Sequence, residues 1–355
     1  MYYDVVVIGA GPAGATSAFR CSKLGFKVLL IEKGDKQRCK PCGGLLTPVC
    51  SDYFREVFEA DFPDEVFSNP KLLGIYLVPP SGRRNAGKIR KYNLTNIRRD
   101  KFDFWMSTIV EKQRVEIQYR TELVDFKNLD DKILVEIRNG EKVQRLYTRY
   151  LIGADGVHSR VRNILYKGVK FDTITVLQEY YKARGDFENS FHCFFQGEIS
   201  PTYAYVIPKD GLYLVGLGVK ERSSSSIADH VRKFKAWLKR EFSFEEISFV
   251  RKEVWKIPFC YPLLGEGNVI LAGDAGGFCN ALTGEGIRYA IESGVEVGLA
   301  FKELGKSNMP LASIYSKRAE WISTFIRRTH DFAAKMTDEE REKYVQMDLA
   351  RIPFV

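Results

Sequence analysis

The chain has 355 residues, 45% of them hydrophobic, and 54 Lys and Arg against 45 Asp and Glu give a formal net charge of +9. This content excludes a disordered chain and calls for two packed domains rather than one core, and no run of about twenty apolar residues offers a membrane span. The positive charge suits an anionic partner such as lipid headgroups, an acidic substrate or nucleic acid, and equally plain solubility.

Tyr2-Tyr3-Asp4 leads into Val5-Val6-Val7-Ile8, a β-branched run with the composition of a buried parallel strand. Gly9-Ala10-Gly11-Pro12-Ala13-Gly14 follows and fits G-x-G-x-x-G. In such a turn Gly9 permits the tight bend, Gly11 admits a pyrophosphate against the backbone, and Gly14 lets the next helix pack on the strand. A helix over residues 13–24 is predicted, ending at Gly25, then a strand Lys27-Val28-Leu29-Leu30-Ile31. Glu32 closes the unit eighteen residues after Gly14, where a carboxylate reaches a ribose hydroxyl. The βαβ unit reads as a dinucleotide site and does not by itself separate NAD from FAD. A strand starting at residue 4 leaves no room for a signal peptide, so a cytoplasmic protein is expected.

Seven scattered cysteines, an odd number, do not form a secreted disulfide framework. Cys39-Lys40-Pro41-Cys42 has C-x-x-C spacing with no second pair to complete a zinc site, so no metal is expected. The pattern then predicts a short helix over 52–60, a strand over 73–78, a helix from about 98 to 112, and strands over 115–119 and 133–137. Asn139-Gly140 marks a hairpin turn. A further buried strand, Tyr150-Leu151-Ile152-Gly153-Ala154-Asp155-Gly156, precedes a helix expected over 157–165. Strands follow over 175–181, 191–195, 203–207 and 212–219, the last pair turning at Lys209-Asp210-Gly211. Ser223-Ser224-Ser225-Ser226 reads as a polar loop before a helix over 228–241. Val269-Ile270-Leu271-Ala272 returns to buried-strand composition before Gly273-Asp274-Ala275-Gly276-Gly277. Helices are predicted from Gly286 to about 304 and over 311–335, the second basic and amphipathic.

The expected architecture is α/β: a Rossmann-like dinucleotide domain in three pieces, 1–70, 97–168 and 258–305. A β-rich α+β substrate domain, 71–96 and 171–257, is inserted between them, and 306–355 forms a helical C-terminal segment.

With these motifs together, the chain resembles the FAD-dependent group that includes p-hydroxybenzoate hydroxylase. Within it the resemblance is to the geranylgeranyl reductase family and its CbrA-type bacterial branch, over residues 1–305. The resemblance implies FAD held by Gly9, Gly11, Pro12, Ala13, Gly14, Glu32 and Lys33. It implies that Cys42-Gly43-Gly44-Leu45, which looks like the reductases' C-G-G loop, lies near flavin and substrate. Arg99-Asp100-Lys101-Phe102-Asp103 is similar to an R-x-x-F-D motif whose arginine contacts FAD. Leu123 matches a position whose backbone contacts adenine. Asp155 and Gly156 resemble the group's D-G motif and are read as supporting the site, with His158 an ordinary surface or capping residue. Gly273-Asp274 and Gly284-Glu285-Gly286-Ile287 resemble G-D-A-A-G…G-x-G-I, which places Asp274 on the ribityl chain and a helix N-terminus at the flavin. The chain departs from that pattern at Gly276 and at Asn280-Ala281, where the family has alanine and Asn-Pro.

Tyr203-Ala204-Tyr205-Val206-Ile207-Pro208 resembles the reductases' aromatic motif, and alternation puts Tyr203, Tyr205 and Ile207 on one face. The implied activity is reduction of C=C bonds in an isoprenoid or other lipid by hydride from flavin N5, with Cys42, Tyr203 and Tyr205 as candidate catalytic groups. Flavin monooxygenase chemistry (a hydroxylase or halogenase using NAD(P)H and O2) and an electron-transfer flavoprotein at a membrane are the alternatives. A halogenase's W-x-W-x-I-P is replaced by Y-A-Y-V-I-P at 203–208. The cofactor expected is FAD, with NAD(P)H or reduced ferredoxin as reductant. The partner expected is a hydrophobic small molecule or lipid, with peripheral contact to an anionic membrane and no nucleic acid.

Overall fold

The computed structural model describes residues 1–220 and 226–350; Ser223 to Ser225 of the expected loop, and 351–355 of the expected C-terminal segment, lie outside the described residues. β1 (Tyr2–Ile8) is buried from Val5 onward and turns through the glycines into α1 (Pro12–Lys23). A Cβ on Gly14 would stand 1.8 Å from the Gly9 carbonyl oxygen, so only glycine lets α1 lie this close to the turn. β2 (Val28–Ile31) is wholly buried.

After β3 (Leu45–Leu46), α2 (Pro48–Phe58) starts four residues ahead of expectation. Pro48 occupies its first turn, and the Thr47 hydroxyl accepts the Cys50 N–H at 3.4 Å. β4 (Phe67–Val78) pairs with β5 (Gly87–Ile97), a strand not foreseen because its charged residues hide the alternation. α3 (Arg99–Lys112), β6 (Glu116–Gln118), β7 (Thr121–Asn128), β8 (Ile133–Asn139) and β9 (Lys142–Gly153) follow, with the β8–β9 hairpin at Gly140. α4 (Arg160–Leu165) begins later than residue 157, because Ser159 caps it by accepting the Arg162 N–H.

β10 (Thr173–Arg184), β11 (Ser190–Phe194), β12 (Ala204–Lys209) and β13 (Leu212–Lys220) lead to α5 (Ile227–Phe242), whose N-cap is Ser226. β14 (Glu245–Pro258) was not foreseen. Its first eight residues are all exposed, charged and apolar ones alike, so no period of a half-buried strand marks it. β15 (Gly265–Glu266), β16 (Val269–Leu271) and α6 (Ile287–Leu304) complete the core. The helix expected over 311–335 is two, α7 (Leu311–Arg318) and α8 (Glu320–Lys335), divided at buried Ala319. α9 (Asp338–Ala350) ends the described chain.

Among the described residues there are two eight-stranded sheets. The first runs β15-β16-β9-β1-β2-β6, parallel from β16 to β6, with β8 and β7 continuing from β9 as an antiparallel extension. The second runs β14-β10-β13-β12-β11-β4-β5-β3, so it draws in Leu45–Leu46 and starts β4 at Phe67, ahead of residue 71. α5 covers one face of this sheet through Phe234, Trp237 and Phe242. Its other face looks toward the mouth of β1 and α1. No described helix is long and apolar enough to cross a membrane.

Candidate functional site

A cavity of about 1110 Å³ lies between the two sheets. At one end its wall is the turn after β1, with Gly9, Gly11, Pro12 and Ala13, and the rim residues Glu32 and Lys33. This is the crevice where β1 lies between β2 and β9, the switch point at which α/β sheets take ligands. Gly14 and Gly273 stand behind the wall rather than on it. A Cβ on Gly273 would meet the Ala13 Cβ at 2.7 Å, so this residue serves the packing of the two turns.

The electrostatics of that end are built from a chain of ion pairs. Glu32, 5% exposed, accepts the Ala10 N–H and the Gly34 N–H, each at 2.8 Å, and Arg38 Nη1 at 3.0 Å. Arg38 also reaches Asp103 at 3.2 Å, and Asp103 takes Arg99 Nε at 2.7 Å. Burial works against the Arg99 charge, yet the Asp103 carboxylate and the Cys42 side chain hold its pKa above the usual value. The first turn of α1 has no side-chain cap, and the space left by the missing Gly11 side chain faces Arg38 Nη1 at 3.4 Å. Free N–H groups, a helix dipole and a guanidinium thus converge where a diphosphate would lie.

Asp274 forms an ion pair with Lys40 at 2.7 Å, and Gly286, the uncapped start of α6, lies beside it. Ile287, Gly284 and Leu123 also line the cavity. Asp155 lines it too, but its carboxylate is committed to α4. It accepts the Ser159 hydroxyl at 2.5 Å and the Arg160 N–H at 2.7 Å, bonds that oppose the upward pull of burial on its pKa. Gly156 is beside it on the wall. The His158 ring sits 6.3 Å from that of Trp255.

Cys42, Gly43, Gly44 and Leu45 mark the middle of the cavity. Cys42 Sγ accepts the Gly44 N–H at 3.3 Å, and all seven cysteines are free, so Cys42 is not joined to Cys39. Tyr203, Tyr205 and Ile207 all face the cavity from β12 and the residue before it, as alternation required. The Tyr205 hydroxyl donates to Gln178 Oε1 at 3.1 Å, and Gln178 in turn donates to Glu253. The Tyr203 hydroxyl donates to the Thr283 carbonyl at 2.5 Å. Burial pushes both phenols well above their usual pKa, so they stay protonated across neutral pH. Beyond them the wall is apolar: Ile75, Leu77, Phe191 and Phe195. Among the described residues no cluster of His, Cys, Asp and Glu is arranged to hold a metal ion.

Several wall residues were not reached from the sequence. Arg38 and Lys40 lie in the polar loop after β2, where the run of basic residues following its acidic end is the signal for them. Gln178, Glu253 and Trp255 belong to β10 and β14, and no motif marks them. Trp255 lines the same cavity with its ring, while its Nε1 is buried with no partner among the described residues. Glu285, whose pKa burial raises against the Thr47 hydroxyl and Arg288, was read only as part of a glycine motif.

An uncapped helix start, a side-chain-free Gly11 and the cations Arg38 and Lys40 on the wall together fit an anionic dinucleotide. The two facing sheets and this crevice define a nucleotide-binding oxidoreductase fold. The chain belongs to the FAD binding domain family, whose model matches residues 2–329, and is an FAD-dependent flavoprotein. Protein CbrA of Escherichia coli O9:H4 (strain HS) is 28% identical to it over 319 residues, 86% of this chain and 84% of that one. A geranylgeranyl bacteriochlorophyll reductase-like protein from Thermoplasma acidophilum superposes with a TM-score of 0.82 at 21% identity, covering 99% of this chain and 92% of that one. Aklavinone-11 hydroxylase, solved with FAD and aklavinone, superposes with a TM-score of 0.71 at 18% identity, covering 96% of this chain and 70% of the hydroxylase. These two structures share the fold of the chain.

Proposed function

We propose that the chain reduces C=C bonds of an isoprenoid or other lipid-like substrate. The observation that carries this reading is the continuity of the cavity: the glycine turn of β1 and the apolar face of β4, β11 and β12 line one space. At about 1110 Å³ it exceeds the ~300–1,000 Å³ of ordinary ligand pockets, which leaves room for an extended apolar chain beside a dinucleotide.

On this reading Glu32, Arg38, Arg99, Asp274 and the starts of α1 and α6 hold FAD. When bound and reduced, the flavin supplies a hydride. Reduction of an alkene also needs a proton at the other carbon, from a group kept protonated until it is used. We assign that role to Tyr205, which lines the cavity and whose hydroxyl is anchored on Gln178. Cys42, at the junction of the polar and apolar halves, positions the substrate or shares the proton transfer. Ile75, Leu77, Phe191 and Phe195 exclude water from the reacting bond. The reductant is NAD(P)H or reduced ferredoxin.

The test is anaerobic reduction of the purified holoprotein, followed by mixing with a geranylgeranyl lipid or with oxygen alone. Reoxidation that depends on the lipid, with a product heavier by two hydrogens, supports the proposal. Rapid NAD(P)H consumption with oxygen incorporated into an added substrate returns the chain to monooxygenase chemistry.

A further inference from the structure

The outer face of α8 belongs to neither sheet. Ile322, Ile326 and Ala333 turn inward, while Trp321, Phe325 and Phe332, spaced four and seven residues apart, share the outward side. They are 48%, 42% and 41% exposed, a cluster of large aromatic surfaces on one helix. They are also held in place rather than loose. Phe325 stacks on Tyr289 of α6 at 5.7 Å, and Trp321 Nε1 donates to Glu296 at 3.0 Å.

Cations surround these rings. A depression of about 650 Å³ beside Trp321 and Phe325 is lined by Arg288, Lys317 and Arg328 against the single carboxylate of Glu320. Lys335 lies on the same side of α8, two turns beyond Arg328. Arg288 lines both this depression and the main cavity, so the aromatic face borders an approach to the substrate space. Aromatic side chains among exposed lysines and arginines match the boundary between acyl chains and anionic headgroups.

We propose that this face docks the protein on the surface of an anionic phospholipid bilayer. Trp321, Phe325 and Phe332 enter the headgroup–acyl boundary, while Lys317, Arg328 and Lys335 meet lipid phosphates. The docking claim stands apart from the reaction proposed above and fails or survives independently of it.

The test is sedimentation of the holoprotein with vesicles of phosphatidylcholine alone or mixed with phosphatidylglycerol. The expected result is co-sedimentation with the phosphatidylglycerol vesicles only, weakening steeply as salt is raised. The paired variant Lys317→Glu, Arg328→Glu is expected to lose at least tenfold in vesicle affinity, and Phe325→Ser, Phe332→Ser to lose a similar amount. Circular dichroism and bound-flavin absorbance check that each variant is folded. Failure of the wild-type holoprotein to bind the anionic vesicles overturns the proposal, as does equal binding by the folded charge-reversed variant. A dimer that Arg328→Glu dissociates, with no vesicle binding, assigns the face to a second copy of the chain and overturns it too.

Discussion

Asp274 and Lys40 sit 2.7 Å apart on the cavity wall, and the start of α6 lies beside Asp274, so the proposed FAD site has this carboxylate held in place by a cation. Asp274→Ala should weaken FAD retention about 10- to 100-fold, the loss of a hydrogen bond to a charged group. Flavin content after dialysis measures it, and an unchanged content contradicts the assignment. Cys42→Ala should keep its flavin yet turn over more slowly; full activity would leave Cys42 a structural residue. His192 on β11 is 1% exposed among Tyr76, Phe187 and Phe194. Burial drives its pKa down to about 4 from 6.5, against the Ser190 carbonyl to which Nδ1–H donates. The unfolded chain therefore binds this proton more readily, and stability falls as pH drops through that window, by up to roughly 3 kcal/mol. His192→Gln should flatten the fall of Tm in the upper half of the window; an unaltered slope assigns the acid sensitivity elsewhere. At this scale the sequence was most legible where backbone geometry demands a residue, as at Gly9, Gly14 and Gly284. Lys40 acts through Asp274 and Glu253 through Gln178, both distant in the chain, and Arg38 joins the nearby Glu32 to the distant Asp103, so the basic run after β2 is the one local mark these residues leave.

At the scale of elements, α9 shows how a segment with little amphipathic pattern is anchored by buried Arg341 and Val345, with Glu342 bonded to Ser81 at its edge. Arg341, 4% exposed, donates to the carbonyls of Ser200, Pro201 and Thr202 at 3.0, 2.7 and 3.1 Å. It thereby holds Tyr344 and Asp348 on the cavity wall. Arg341→Ala strips these carbonyls of their donor, at a cost of about 2 kcal/mol or more, and should free α9 first. Limited proteolysis is expected to cut between 338 and 350 while the rest of the chain persists; an unchanged digestion pattern contradicts this. The buried strands β1, β2 and β16 declared themselves through composition. β5 and β14 did not, because exposed charged residues interrupt the alternation that reveals a half-buried strand. The break at Ala319 between α7 and α8 carries no glycine or proline and follows from packing alone.

For the whole molecule, the decisive relation is that two sheets interleaved along the chain face one space. The nucleotide half was legible because its turns must be glycine and its strands must be apolar. The apolar half was legible as a site only through β12, since the rest of its wall is assembled from two or three alternate residues each of β4, β10, β11 and β14, which no motif marks. The account's central claim is that an apolar chain lies against the flavin in that shared cavity. Titration of the oxidised holoprotein with a saturated isoprenoid alcohol, read by difference absorbance of the flavin, tests this most directly. The account predicts a saturable perturbation of the flavin bands that Leu77→Trp abolishes without loss of flavin. A flat difference spectrum at saturating alcohol, or a perturbation that Leu77→Trp leaves intact, would contradict it.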